Sequence, residues 1–395
     1  MPSSSTLPLI ILLGAVSALT PLAIDMYLPA MPAIAEALAS NSHRVQATLA
    51  AYTGGFAIGQ LLFGPLSDAR GRRPVLLGGI LIFAVAALLC ALAGSIEMLT
   101  WLRAGQGFAG AASAVVVQAL VRDLFDREDF ARTMAYITLV MTVAPLVAPM
   151  LGGHLAHWFG WRSIFWVLAA FAFLVALACS LRLPETLSPA RRQPLHLSAI
   201  LRSYLRLLTS RRALGFMLCG AFSFAGMFAF LTGAAFVYIR LYGVSAQHAG
   251  YLFGLNVLSL MLFTTLNGRW VRRLGSATML RLALGLQLLA GLMMPVGPLL
   301  GWGLWAVVLP IMLYVGVIST IGSNTMASLL STLPNLAGTA SSLAGTLRFG
   351  TAALVGALVA ALPDQSALYM LLTMSLCALV SSLCYWLLCT SDKTA

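Results

Sequence analysis

The feature that most constrains this chain is the recurrence of apolar runs about 20 residues long, the length that spans a bilayer as a helix, set apart by short segments rich in arginine, proline and glycine. Reading those runs between charged or Pro/Gly punctuation predicts spans over residues 7–29, 46–66, 75–95, 98–120, 133–156, 163–183, 213–237, 248–268, 277–297, 302–325, 338–361 and 367–389. Composition points the same way. Hydrophobic residues make up 60% of the chain and charged residues only 9%, whereas a soluble chain carries roughly 25% charged residues. The expected fold class is an all-α polytopic membrane protein with twelve transmembrane helices.

The polar interval from Pro184 to Arg212 is the longest in the chain and separates six spans from six. It predicts an N-terminal six-helix bundle over 1–183, a linker over 184–212 and a C-terminal six-helix bundle over 213–395. The halves repeat weakly. Gly64-Pro-Leu-Ser-Asp68-Ala-Arg-Gly71 ends the second span, and 204 residues later Gly268-Arg-Trp-Val-Arg272-Arg-Leu-Gly275 ends the eighth, with Arg272 where the first copy has Asp68. Internal repeats with a site near the midplane between them are the pattern of secondary transporters.

A net charge of +12 has two readings, a nucleic-acid surface or basic membrane loops, and the placement of the charges separates them. Arginine and lysine are held on the cytoplasmic side of short loops. With the N-terminus inside, Arg70, Arg72, Arg73, Arg122, Arg127, Arg132, Arg182, Arg191, Arg192, Arg202, Arg206, Arg211, Arg212, Arg269, Arg272, Arg273, Arg281 and Lys393 all fall on that side, and only Arg44, Arg162 and Arg240 fall opposite. Both termini are therefore expected on the cytoplasmic side, and no nucleic-acid partner is expected. The first span is preceded by no positive charge and is too long for a typical signal-peptide core, so it is expected to stay.

Several chemistries are excluded by what is missing. The only lysine is Lys393, so no P-loop lysine and no buried Schiff-base lysine is available. The six cysteines lie in or beside apolar runs with no C-x-x-C pair and read as small buried hydrophobes. His154 and His157 have no nearby cysteine or carboxylate to complete a metal site. An enzyme is not expected, nor a metal or other cofactor.

Charges inside apolar runs are expensive and default to functional candidates facing the bundle interior. Asp25 lies roughly 27 Å from the cytoplasmic start of the first span, and Arg103 roughly 8 Å below the outer start of the fourth. They share the outer half of the membrane and are close enough to pair if those spans are neighbours. Two readings stay open: a proton-binding carboxylate whose protonation follows its surroundings, or a permanent Asp25–Arg103 pair that fixes packing. Arg348 sits near the middle of the eleventh span and is expected in a central cavity. Gln60, Gln106, Gln118, Asn256, Gln287 and Asn324 are first candidates for interhelical hydrogen bonds. The expected cavity set is Asp25, Tyr27, Arg103, Gln118, Phe224, Phe228, Asn256 and Arg348, with Asp25 and Arg103 as the proton-coupling pair.

Three motifs then narrow the class. Gly64-Pro-Leu-Ser-Asp68-Ala-Arg70-Gly71-Arg72-Arg73-Pro74 follows G-x-L-x-D-x-x-G-R-R between the second and third spans and resembles the signature loop of the major facilitator superfamily. Arg103-Ala-Gly-Gln106-Gly107 is similar to that superfamily's R-x-x-x-G motif, which the resemblance links to proton coupling. Pro145-Leu-Val-Ala148-Pro149-Met-Leu-Gly152-Gly153 resembles the antiporter motif G-P-x-x-G-G of drug exporters, with Ala148 in place of a glycine. Ala23-Ile-Asp25-Met-Tyr-Leu-Pro29-Ala-Met-Pro32, Phe222-Ser-Phe-Ala-Gly-Met-Phe228 and Gly338-Thr-Ala-Ser-Ser-Leu-Ala-Gly-Thr-Leu-Arg348-Phe-Gly350 further resemble the Bcr/CflA group of proton-coupled multidrug exporters. The resemblance implies a drug/proton antiporter for bicyclomycin-like and other small antibiotics in a bacterial inner membrane, with the 64–73 loop as a gate, and a monomer is expected. Export of amino acids or small peptides by the same fold is the alternative.

Overall fold

The computed structural model describes residues 7–125, 127–192, 197–332, 337–363 and 366–390. Lys393, assigned above to the cytoplasmic side, lies outside them. Twelve helices are long and apolar enough to cross a membrane. In the first half these are α1 (Leu7–Asp25, continued by α2, Met31–Ala37), α3 (Ser42–Arg70), α4 (Arg72–Ala91), α5 (Ile96–Leu124), α6 (Arg127–Phe159) and α7 (Arg162–Arg182). A short helix α8 (Leu197–Thr209) precedes the second half: α9 (Arg211–Phe236), α10 (Ala246–Leu274), α11 (Ser276–Met293) with α12 (Val296–Leu300), α13 (Trp305–Gly316) with α14 (Ile318–Thr332), α15 (Ala337–Ala361) and α16 (Leu368–Cys389).

Helix α3 packs on α5, α4 on α5 and α7, and α1 on α6; in the second half α9 packs on α14, α15 and α16, and α10 on α13. The halves meet along two principal seams, α3 with α15 and α6 with α10. Bilayer lipid is as apolar as leucine, so helices associate here through close backbone approach and hydrogen bonds. The α3–α5 contact is the clearest case. A Cβ on Gly55 would collide with the Ala104 carbonyl, one on Gly59 would sit 2.7 Å from the Ala111 methyl, and one on Gly107 would collide with the Tyr52 carbonyl.

The N-termini of three helices are capped by their own sequence. Asn41 Oδ1 accepts from the Arg44 N–H at 2.9 Å, Ser95 Oγ from Met98 at 3.2 Å and Ser245 Oγ from His248 at 3.3 Å, satisfying amides that no helical carbonyl reaches. The repeat-related ends of α3 and α10 share a backbone. Gly71 (φ 105°, ψ 153°) and Gly275 (φ 79°, ψ 156°) both terminate their helices in a region essentially confined to glycine.

The first span departs from expectation. Instead of one helix over 7–29, α1 ends at Asp25, a single 3₁₀ turn covers Leu28–Ala30, and α2 carries the span to Ala37. Pro29 is the cause: it has no N–H to return to the carbonyl four residues back, and its ring clashes with that carbonyl, which belongs to Asp25.

Candidate functional site

Asp25 is thus the last residue of a broken helix. It is 8% exposed. Four ion pairs form among the described residues, Arg44–Glu97, Arg72–Asp68, Arg72–Asp123 and Arg240–Glu36, and Asp25 is in none of them. The pair with Arg103 that the depth of the two residues suggested is not formed.

Arg103 is fully enclosed within the first half. Its Nη1 donates to the Ala23 carbonyl at 3.1 Å and to Gln106 Oε1 at 2.8 Å. Its Cζ lies 4.4 Å from the Tyr52 ring centroid, 4.7 Å from that of Tyr27 and 5.9 Å from that of Phe165. The faces of these rings supply negative potential to the cation, and the carbonyl and amide take up Nη1, while Nε and Nη2 are left without a hydrogen-bond partner. Arg103 therefore holds the backbone two residues before Asp25 rather than the carboxylate. Tyr27 is pinned in the same cage, its hydroxyl 2.6 Å from Thr48 Oγ1, and it too is fully buried. In this arrangement neither residue forms a cavity wall. Tyr52 and Phe165 were not singled out from the sequence, where nothing separates them from packing aromatics.

Arg348 is different. It is half-buried on α15, its Cζ stands 3.8 Å over the Phe224 ring, and its Nε has no hydrogen-bond partner. Around it Phe224 meets Phe228 at 5.1 Å and Phe349 at 5.1 Å, and Phe349 meets Phe56 of α3 at 4.3 Å. This cluster joins the halves across the α3–α15 seam. It includes the expected Phe224, Phe228 and Arg348 and adds Phe56 and Phe349. Gln118 is exposed on the inner part of α5. Asn256 is 2% exposed and donates to the Leu252 carbonyl of its own helix at 2.9 Å, a bond that keeps it inside α10.

The residues of the antiporter-like motif touch the same place from outside. A Cβ on Gly152 would collide with the carbonyl of Met26, the residue after Asp25, and one on Gly153 would sit 2.8 Å from the Ala246 carbonyl. In return, a Cβ on Gly250 of α10 would sit 2.8 Å from the carbonyl of Pro149. Pro145 lies one turn earlier, half-buried on α6. The end of the α6–α10 seam that faces the break in α1 is therefore closed by backbone-to-backbone contact.

At the other end, the 64–73 segment, expected as a loop, is helical on both sides of Gly71, because one glycine in an extended positive-φ conformation makes the whole turn, and it is knitted to its own half. Arg72 Nη1 is 2.5 Å from Asp68 Oδ1 and 2.7 Å from Ser67 Oγ, and its Nε is 3.5 Å from Asp123 Oδ2. The Arg72 amide donates to Glu185 Oε1 at 3.0 Å, and Arg73 Nη2 to the Ser180 carbonyl at 2.6 Å. Arg70 is exposed. Among the described residues no group of three His, Cys, Asp or Glu side chains converges as a metal site, and His154 Nδ1 instead bonds to the Met150 carbonyl at 2.8 Å.

The family model described as Major Facilitator Superfamily matches residues 13–357. The chain is 41% identical over 384 residues to the bicyclomycin resistance protein homolog of Haemophilus influenzae, covering 97% of this chain and 96% of that one. It is 28% identical to multidrug resistance protein D of Escherichia coli, again covering 97% and 96%. Among solved structures, a D-xylose-proton symporter superposes with a TM-score of 0.78 at 15% identity, over 97% of this chain and 98% of that one. At that identity the likeness is one of fold.

Proposed function

The chain belongs to the major facilitator superfamily, and on that premise we propose that it is a proton-coupled exporter of bicyclomycin-like and other small antibiotics in a bacterial inner membrane. The relatives named for bicyclomycin and multidrug resistance supply the cargo class. Asp25 supplies the coupling chemistry. The observation that carries the reading is a buried carboxylate at a helix break, outside every ion pair among the described residues. A carboxylate so placed is neutral when desolvated and charged when water or a cationic group reaches it.

In the cycle we propose, both termini are cytoplasmic, residues 1–183 and 213–395 rock against one another about the 184–212 linker, and the protein works as a monomer. Drug enters from the cytoplasm against Phe224, Phe228, Phe349 and Arg348 while the Asp25 carboxyl releases its proton inward. The α6–α10 seam at Pro149, Gly152 and Gly153 then parts, the drug leaves, and the Asp25 carboxylate takes a proton from outside. Arg103 acts as a positioning residue through the Ala23 carbonyl. The Gly64–Arg73 loop, with Asp68, Gly71 and Arg72, latches the cytoplasmic end.

The test is drug flux in everted vesicles with an imposed pH gradient, comparing wild type with Asp25→Asn. We expect gradient-driven flux in the wild type and its loss in the variant, with drug binding retained. Full proton-driven flux in Asp25→Asn would remove Asp25 from the mechanism. Wild-type vesicles that move small peptides but no antibiotic would replace the cargo with the alternative above.

A further inference from the structure

From Thr186 to Pro363 the chain contains twelve arginines and not one aspartate or glutamate. In the first half the Arg72 guanidinium is ion-paired with Asp68 and Asp123; the 186–363 stretch carries no acid of its own, and Arg240 draws its partner, Glu36, from the first half. Part of the positive charge of this stretch is carried on α8, whose surface divides into three sectors. At 100° per residue, Tyr204 and Leu207 share one side and pack inward: Leu207 is fully buried in a cluster with Ala213, Phe216, Leu280 and Leu343, with Tyr204 packed against it. The Tyr204 hydroxyl lies 3.4 Å from Ser342 Oγ on α15. Next round the helix come Leu201, Leu205 and Leu208, exposed by 57%, 52% and 37%. Beside these lie Arg202 and Arg206, both exposed.

An apolar stripe left bare by its own protein, bordered by a cationic stripe and fixed at the level where α9 begins, has the layout of a helix lying in a membrane interface. We propose that α8 is docked on the bilayer surface, with Leu201, Leu205 and Leu208 in the acyl boundary and Arg202 and Arg206 binding the phosphates of anionic lipids. The occupant follows from charge complementarity: in a stretch with twelve cations and no acid of its own, the exposed Arg202 and Arg206 take their counterions from headgroups, each arginine near such a surface contributing about a fivefold preference. A soluble protein partner would have to displace the bilayer that the neighbouring spans already require. Ser342 Oγ also donates to the Gln60 carbonyl on α3 at 3.3 Å, so bound lipid lies two side chains from the α3–α15 seam. The proposal rests on the membrane-spanning fold and is independent of the cargo.

The test uses the full chain with a nitroxide attached through Leu205→Cys in a background without native cysteines, reconstituted in vesicles of phosphatidylethanolamine with either phosphatidylglycerol or phosphatidylcholine. The expected result is a label reached by oxygen and shielded from an aqueous nickel chelate in the phosphatidylglycerol vesicles. Arg202→Gln with Arg206→Gln should raise chelate access severalfold there and leave it unchanged in phosphatidylcholine. High salt on the unsubstituted arginines should reproduce the effect, since screening weakens the same contacts. A label open to the chelate in both lipids, one shielded from both probes, or one indifferent to the arginines and to salt in phosphatidylglycerol would each overturn the proposal.

Discussion

The loops that end α3 and α10 are two copies of one design with opposite electrostatics. Both helices stop at a glycine whose φ is positive, Gly71 at 105° and Gly275 at 79°. Around Gly71, however, Asp68, Asp123 and Glu185 gather Arg72 into a network that ties α3, α4, α5 and the start of the linker together. Around Gly275 the side chains of Arg269, Arg272 and Arg273 are exposed, and no acid occurs anywhere in residues 186–363. The same contrast recurs in the membrane. Arg103 of the first half is fully buried among a carbonyl, an amide and three rings, whereas Arg348 of the second is half-buried and rests one face on Phe224. The first half holds the guanidinium groups of Arg72 and Arg103 within its own network of bonds, whereas around Gly275 and Arg348 the second half has no acid of its own to do the same.

The sharpest way to break this comparison is to delete the two membrane arginines. Arg103→Leu strands the Ala23 carbonyl and Gln106 and removes two hydrogen bonds from a charged donor, a loss of about 3 kcal/mol, which should appear as a marked drop in thermal midpoint in detergent. Arg348→Leu should cost less than about 1 kcal/mol while raising the KM for drug efflux. Equal destabilisation by both would mean that Arg348 is structural after all.

The two glycines sharpen it next. Gly275→Ala meets open space and should show only the backbone cost of about 1–3 kcal/mol. Gly71→Ala adds a collision with the Glu185 carboxylate, so its thermal midpoint should fall further. A Gly71→Ala, Glu185→Ala double variant should recover the difference.

The smallest effects belong to the loop charges. Asp68→Asn removes one partly exposed partner of Arg72, worth about 0.5 kcal/mol, and its consequence should be seen in transport rate more than in melting. Arg272→Asp, which restores to the second copy the acid of the first, should leave stability within about 0.5 kcal/mol. If it slows efflux as much as Asp68→Asn does, acid placement and not the local pairing governs the gate.

Much of this architecture was legible in the sequence because the bilayer imposes a length on each helix and a sign on each loop. The all-helical class and the number of spans could be read there. The partners of the charged side chains could not. An apolar run carries almost no record of which of its faces meets which neighbour, so Tyr52 and Phe165 around Arg103, and Phe56 and Phe349 beside Arg348, looked like any other packing aromatics. Depth placed Asp25 and Arg103 at one level but said nothing of direction, and the guanidinium turned to a backbone carbonyl instead. Pro29 did hold the signal for the break after Asp25. It was masked by the tolerance of transmembrane helices for proline, which makes a proline in such a run weak grounds for ending the helix.

The glycine contacts between α3 and α5 have a mechanical consequence. With Gly55, Gly59 and Gly107 seated against the backbone of the partner helix, neither rod can slide or roll on the other without steric overlap. The two behave as a single stiff beam. One edge of that beam forms the seam with α15, and its other member carries Arg103 and, through it, the last turn of α1. A displacement at the seam is therefore delivered to the backbone beside Asp25 as rigid-body travel, with no soft joint in between to absorb the stroke.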